Sequence, residues 1–386
     1  MKNLYGADAS PTGSTSPLKT PVDFRSDNCG RAAPEMIEAL AAANSGTALG
    51  YGADALTARM QARFSELFET PVRVYAVATG TAANAVALAA SATPFGAVYC
   101  SAQAHVNTSE CNATSFFGGG TKLVAVAGAH GKVSPDALTA ELAVAGKGLF
   151  HRSQPAAVNI VQATDLGAVY SVDEVTAIGA VAHAHGLKVH VDGARFANAV
   201  STLGCTPAQA TWKAGVDILS FGVTKNGGLL GDAIVVFTPD VARDIGLHLR
   251  RAGLVWSKMR FASAQILAYV ENDLWLRLAG QANAAAAAIA AGIEGIDGVT
   301  LRAPVQANEL FVEMAPAAVD GLEADGILFQ RRSAGLARFV CRWDTDGDEV
   351  ARLIAAVRRG AALCGGRDTR TEQTVDGSKE QGGEHP

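Results

Sequence analysis

Seven short apolar runs, at residues 73–78, 97–101, 122–127, 157–162, 187–192, 217–221 and 233–237, punctuate this 386-residue chain before residue 240. Each is apolar along nearly its whole length rather than at alternate positions. A strand of that kind is buried on both faces, which requires helices above and below it. Segments with helical spacing supply them: 34–43 and 55–68 precede the first run, 82–92 follows it, and 172–185 leads into the fifth. The pattern predicts an α/β fold with a mainly parallel sheet of seven strands. Aromatic residues are only 6% of the chain, so its core must be built from Ala, Val, Leu and Ile, and 41 glycines imply many tight turns.

Beyond residue 255 the texture changes. A long helical region covers 257–292, interrupted near 271–273, and short strands are expected near 299–302, 310–313, 327–330 and 337–342. A helix over 348–362 follows acidic residues Asp346 and Asp348, which suit the positive end of a helix dipole. The expected division is a polar tail at 1–20, a large domain at 21–255, a smaller α+β domain at 256–365 and a disordered tail at 366–386.

Charge narrows the partners. With 32 basic and 37 acidic residues the net charge is −5, a poor match for nucleic acid, which selects clustered positive charge. No apolar stretch is long enough for a membrane span, and the first 20 residues lack the apolar run of an export signal, so the expected location is the cytoplasm. The six cysteines have no C-x-x-C spacing and are expected to be free, mostly buried thiols. His183 and His185 alternate on a helical segment and so point to different faces, and no metal site is expected.

Four segments carry candidate chemistry. Lys225 sits in a glycine-rich loop just after an apolar strand, at the edge where α/β proteins bind ligands. Partial burial would make its amine a nucleophile, and a solvated loop lysine is the competing reading. Asp192 ends a buried strand, where a carboxylate needs a partner, and a turn-starting Asp is the alternative. Arg195, three residues on, could meet an anionic oxygen or an internal carboxylate. In Thr79–Asn84 the amides around Gly80 and the Thr81 hydroxyl make an anion cup at a helix N-terminus, without either nucleotide-binding glycine fingerprint. His105 could stack on a flat ring or move a proton, or be structural. Taken in order, these are a phosphate anchor, a ring stacker, a pyridinium partner and a Schiff-base lysine, the requirements of a pyridoxal 5'-phosphate enzyme.

Several stretches resemble the low-specificity L-threonine aldolases and the closely related phenylserine aldolases. They are FRSDN at 24–28, QATDLGAVYS at 162–171, HVDGARFANA at 190–199, the long run at 203–227, SKMRF at 257–261 and ARFVCRWDT at 337–345. The long run reads as the Pseudomonas-type branch. The resemblance spans roughly residues 22–363. It implies the aspartate aminotransferase type of fold and a homodimer or homotetramer with active sites at the subunit interface. It also implies retro-aldol cleavage of threonine, allo-threonine or phenylserine to glycine and an aldehyde through an external aldimine. By motif, Lys225 resembles the aldimine lysine, Asp192 the pyridinium partner, His105 the ring stacker, and Gly80 and Thr81 the phosphate cup. Arg195 matches the arginine on the cofactor's 3-oxygen side, and Ser26 and Arg338 the pair that holds the substrate carboxylate. Arg260 resembles an arginine reaching a neighbouring subunit's phosphate, and Tyr51 a tyrosine near a partner's site.

Two departures stand out. Where many relatives have Glu-Asn-Thr-His, this chain has Gln162, Ala163, Thr164 and Asp165, so a histidine used there as base is absent. His105 is then the expected base, with Gln162 and Asp165 as further candidates. Arg342 is an extra cation that could act near Arg338 or face solvent. Glycines 80, 193, 222, 227 and 228 are expected where backbone approaches the cofactor. Other pyridoxal phosphate reactions (β-elimination, transamination), a nucleotide-linked oxidoreductase and a non-catalytic homologue are the alternatives.

Overall fold

The computed structural model describes residues 21–365; the tails expected at 1–20 and 366–386 lie outside the described residues. After the short β1 (Val22–Asp23), the chain forms β2 (Arg73–Val77), β3 (Gly96–Ser101), β4 (Lys122–Val126), β5 (Gln154–Val161), β6 (Lys188–Gly193), β7 (Ile218–Phe221) and β8 (Asp232–Val236). These seven make one sheet in the order β2-β8-β7-β6-β5-β3-β4. All seven expected strands are present. The pairs among β4, β3, β5, β6 and β7 are parallel, whereas β8 runs antiparallel to both β7 and β2. The C-terminal ends of β2, β3, β5, β6 and β7 therefore share one edge with the N-terminal end of β8. In such sheets that edge is where ligands bind.

Both faces are covered, as continuous apolar strands demand. The alanine-rich helix Gly80–Ser91 is buried from Ala82 to Ala89, in keeping with a sequence apolar all round. Helix Val172–Ala184 starts at a capping box in which Ser171 and Glu174 each satisfy the other's backbone N–H. The few aromatics are concentrated under β7. Phe221 lies with its ring centroid 5.2 Å from Phe64, 5.7 Å from Trp275 and 5.9 Å from both Phe196 and Tyr269. That hub supports the loop which follows β7.

The remaining strands are β9 (Thr300–Leu301), β10 (Glu309–Glu313), β11 (Ile327–Leu328), β12 (Gln330–Ser333) and β13 (Leu336–Val340). A small sheet has the order β12-β13-β10-β9, and β11 pairs in parallel with β1. The break expected near 271–273 is a short 3-10 turn, Glu271–Asp273, ahead of helix Leu274–Ile293. This helix joins two cores. Trp275, Leu278 and Ala279 pack into the core of the large sheet, and Ala285, Ala286 and Ile289 pack with Val22, Phe24 and the small sheet.

Among the described residues no helix is long and apolar enough to cross a membrane, and no cluster of His, Cys, Asp and Glu is placed to hold a metal ion. The thiols correct one expectation. Cys100 and Cys341 are buried, Cys205 is half-buried, and Cys29 and Cys111 are exposed, so the five described thiols are not mostly buried. Both exposed ones lie in loop or turn segments that the apolar pattern does not cover. Burial pushes the Cys100 thiol up to about 12.

Candidate active site

A cavity of about 290 Å³ opens at the shared edge of the sheet. Gly80 and Thr81 face it from the start of the helix after β2, and His105 from the segment after β3. Asp165 enters beyond β5, Asp192 and Arg195 around the end of β6, and Lys225 beyond β7. A buried polar line fixes the register of the three strands that lead to the last four of them. His190 on β6 pairs with Asn159 on β5 at 2.7 Å and Ser220 on β7 at 2.9 Å. Burial holds its imidazole down to about 4, so it stays neutral and structural.

The phosphate-sized end is built on helix Gly80–Ser91. Thr79 caps it, its side chain accepting from the Ala82 N–H at 3.1 Å, which leaves the amides of Gly80 and Thr81 at the helix N-terminus. The loop bearing Lys225 is held by Asp232, whose Oδ1 accepts from the backbone N–H of Val223 at 2.7 Å and of Thr224 at 3.0 Å. Lys225 itself makes no hydrogen bond or ion pair among the described residues. Its charge is nonetheless felt. Burial opposes the charge of Asp27, yet Arg195 and Lys225 together hold that carboxyl below its usual range.

Asp192 is buried. It accepts from Asn84 Nδ2 at 2.9 Å and from the Ala194 N–H at 3.1 Å, and no Lys, Arg or His forms an ion pair with it among the described residues. A carboxylate in such a place fits a protonated ring nitrogen, and the pyridinium of pyridoxal phosphate supplies one. The amine, the anion cup and this carboxylate thus fit the cofactor's three polar ends. Asn84 also donates to Glu110 at 2.8 Å, and Glu110 binds His105 Nδ1 at 2.8 Å. This hydrogen bond, working against burial, raises the imidazole's pKa above its ordinary value.

Ser26, Arg338, Arg260 and Tyr51 are not among the lining residues of this cavity. Ser26 caps a short turn by accepting from the Asn28 N–H at 3.2 Å, and it is Asn28 that reaches the cavity. Arg338 is buried with its guanidinium forked onto Glu309, Nε to Oε2 at 3.1 Å and Nη2 to Oε1 at 3.0 Å. Glu309 also pairs with Arg195, whose other side is forked onto Asp27 at 2.7 and 3.1 Å. Burial works against the charge of Arg195, and Asp27 and Glu309 outweigh it and raise the pKa. Arg260 donates to the Gly46 carbonyl at 3.3 Å, and Tyr51, 59% exposed, borders a separate cavity of about 620 Å³.

Two further residues, Gln162 and Arg342, are fixed by their contacts. Gln162 donates to the Tyr170 carbonyl and accepts from the Tyr170 N–H, both at 2.9 Å, so its amide is fully used in the backbone. Arg342 is neither near a free carboxylate site nor turned to solvent. It bonds Asp344 and Glu349, each at 3.0 Å, and the Asp23 carbonyl. Of the glycines expected where backbone approaches a cofactor, Gly80 lines the cavity, whereas Gly193, Gly222, Gly227 and Gly228 make room for the chain. A Cβ on Gly193 would lie 2.5 Å from the Ser220 carbonyl oxygen, and one on Gly222 would lie 2.4 Å from that of Ala194.

Sequence reasoning assigned no role to Asn84, Glu110, Asp232 or Glu309. Asn84 lies one helical turn after Gly80 and Thr81, a spacing that places it on the same face; Glu110 and Glu309 carry no local signal.

Residues 23–317 match the family described as beta-eliminating lyase. The chain is 42% identical over 336 residues to the low specificity L-threonine aldolase of Pseudomonas aeruginosa, covering 87% of this chain and 96% of that protein. The match to the low specificity L-threonine aldolase of Saccharomyces cerevisiae is 28% over 307 residues, covering 77% and 75% of the two chains. Among solved structures, Leishmania major threonine aldolase superposes with a TM-score of 0.81 at 25% identity, covering 88% of this chain and all of that one. A Sphingomonas wittichii serine palmitoyltransferase shares the fold at a TM-score of 0.66 and 15% identity, covering 89% of this chain and 88% of that one.

Proposed function

This chain belongs to the low specificity L-threonine aldolases, within the beta-eliminating lyase family, and from that premise we propose how its own residues carry the reaction. It is a pyridoxal phosphate-dependent lyase that splits threonine by retro-aldol cleavage, giving glycine and acetaldehyde. The proposal extends the substrates to allo-threonine and phenylserine. The observation that carries the residue assignments is that one cavity holds the Lys225 amine and a buried Asp192, neither of them in an ion pair among the described residues.

Lys225 Nζ would be the amine that holds the cofactor. Gly80 and Thr81 would hold its phosphate at the helix N-terminus, and Asp192 would keep a proton on its ring nitrogen. His105, fixed by Glu110, would pack on the ring, and Arg195 would meet its 3-oxygen. The chemistry supplied by pyridoxal phosphate when bound is an electron sink for the pair released as Cα–Cβ breaks. Arg338 binds the substrate carboxylate with Ser26, through charge-assisted hydrogen bonds for which Glu309 is the internal competitor.

Arg260 and Tyr51 lie outside the cavity of their own chain, which suits a homo-oligomer in which each serves a neighbour's site. Leu49, Tyr51, Leu229 and Leu230 leave apolar surface exposed on the segments beside Arg260, which supports burying that face against a second copy. The two cores joined by helix Leu274–Ile293 are read as two domains of the protomer, at 21–255 and 256–365.

The test is to incubate the cofactor-loaded protein with threonine, allo-threonine and phenylserine. Glycine and the matching aldehyde should form in equal amounts. A keto acid in place of glycine would overturn the reading.

A further inference from the structure

Retro-aldol cleavage, the reading on which this inference rests, needs a group that takes the β-hydroxyl proton. His105 is poorly placed to be that group. Its Nδ1 is tied to Glu110, and that bond favours the protonated ring. We propose that Asp165 is the catalytic base that removes the β-hydroxyl proton of the substrate.

The other carboxylates around the cavity already have partners. Asp27 is forked onto Arg195, and Glu309 onto Arg338. Glu110 binds Asn84 and His105, Asp232 holds two backbone N–H groups, and Asp192 binds Asn84 and the Ala194 N–H. Asp165 lines the cavity with Asp192 and Lys225, yet its side chain has no hydrogen bond or ion pair among the described residues. It is the one carboxylate of this group with no partner of its own among the described residues.

Its backbone is firmly set. Thr164, fully buried, accepts at its carbonyl from the Gly167 N–H at 2.8 Å and donates its N–H to the Ala168 carbonyl at 2.8 Å. The Thr164 hydroxyl donates to the His130 carbonyl at 2.8 Å and accepts from the Ala168 N–H at 3.1 Å. Gly167 closes the turn with φ +78°, and a Cβ there would lie 3.1 Å from the Glu309 carbonyl oxygen. Asp165 is thus presented from a rigid turn at the end of β5, as a base must be to meet one oxygen.

The electrostatics suit the task. Burial, with Asp192 and Glu309 as negative neighbours, pushes the carboxyl up to about 6, while His105 and Arg195 pull the other way. Arg332 on β12 and the Tyr170 hydroxyl also feel its charge. A base poised just below neutral pH is ionised at work and still takes a proton readily.

The step balances. Asp165 accepts the hydroxyl proton, the O–H pair becomes the second C–O bond of the aldehyde, and Cα–Cβ breaks with its pair remaining on the Cα side. One proton is later returned to Cα, and exchange with water restores Asp165.

The test compares wild type and Asp165→Asn as holoenzymes. Removing a general base should lower kcat for threonine cleavage by about 10²–10⁴-fold. Exchange of the glycine α-hydrogen with solvent involves no hydroxyl, and it should stay within about threefold, the span of contextual scatter rather than loss of a catalytic group. In wild type, activity should rise with pH through about 6, and a protonated-carboxyl infrared band should disappear over the same range. Both the pH limb and the band should be missing in the variant. Unchanged cleavage by the variant, or parallel loss of cleavage and glycine exchange, would overturn the assignment. A wild type that exchanges glycine hydrogen but releases no aldehyde would instead overturn the aldolase reading, and this proposal with it.

Discussion

Replacing Glu309 by Gln isolates the charge network behind the cavity. In the native protein Asp27, Arg195, Glu309 and Arg338 alternate in sign and sum to zero, all at least nine-tenths buried. The substitution leaves Arg195 with Asp27 but leaves Arg338 with only the Gln330 amide oxygen, at 2.8 Å. Removing one partner of a buried ion pair costs about 3–5 kcal/mol. The remaining contact and the Gln carbonyl put this case at the lower end, about 3 kcal/mol. At about 2 °C per kcal/mol for a chain of this size, the apparent Tm should fall by about 6 °C.

The same perturbation tests whether Arg338 is the carboxylate site. Glycine, as the bound amino acid, carries a carboxylate able to replace the lost one. Glycine at one fixed concentration, about 100 times its wild-type Kd, stabilises the wild-type protein by about 2.7 kcal/mol. In Glu309→Gln the gain should exceed that of wild type, because the ligand also restores the missing charge and no longer competes with Glu309. Thermal melts of both holoenzymes, with and without glycine, measure the difference. Equal melting temperatures would refute the network argument. A lower melting temperature with the same glycine-induced gain in both would refute the assignment of Arg338.

The Asp165→Asn variant should be more stable than wild type, but only in one pH window. Below 3.8 both side chains are neutral and no gap exists; it opens as pH rises from 3.8 to about 6 and is full above that. Raising a carboxyl's pKa by that amount corresponds to at most about 3 kcal/mol, and denaturation curves at pH 3.5 and 8 should show the gap only at the higher value. Phe221→Ala removes the ring at the centre of the aromatic hub and should cost about 3–5 kcal/mol, with cofactor occupancy at Lys225 falling in absorbance titrations. Ser171→Ala breaks the capping box and should cost about 1 kcal/mol in urea denaturation, leaving threonine cleavage unchanged.

What was legible in the sequence follows burial. Strands hidden on both faces announce themselves as apolar runs, and all seven of the large sheet were readable. The helix Pro239–Arg251 was overlooked although Val241, Ile245 and Leu249 mark its buried face at steps of four. The two residues of β1 could not be found, because their pairing with β11 depends on chain some 300 residues away. Nor does any local pattern reveal that β8 runs against its neighbours, which is what brings Asp232 to the ligand edge. Lys225, Asp192, His105 and Gly80 were legible because each follows an apolar run. Glu309 was not, because a buried glutamate on an otherwise apolar strand looks like a solvent-facing residue until the arginines opposite it are seen.

The hidden carboxylates also explain why the visible ones can work. Acidic groups surround this cavity, and together they would repel a substrate carboxylate and a cofactor phosphate. Most are cancelled inside the chain: Asp27 and Glu309 by two arginines, Glu110 by the histidine beside it, and Asp232 by backbone N–H groups. Besides Asp232, two form no ion pair among the described residues, Asp192 and Asp165. Asp192 has a fixed donor on each oxygen, so it suits keeping a proton on a ring nitrogen throughout turnover. Asp165 has none, and it sits among like charges, so it suits gaining and losing a proton in each turnover. Two aspartates in one cavity thus come to opposite tasks through their partners alone, and adding a fixed donor to Asp165 should convert it from a base into a spectator.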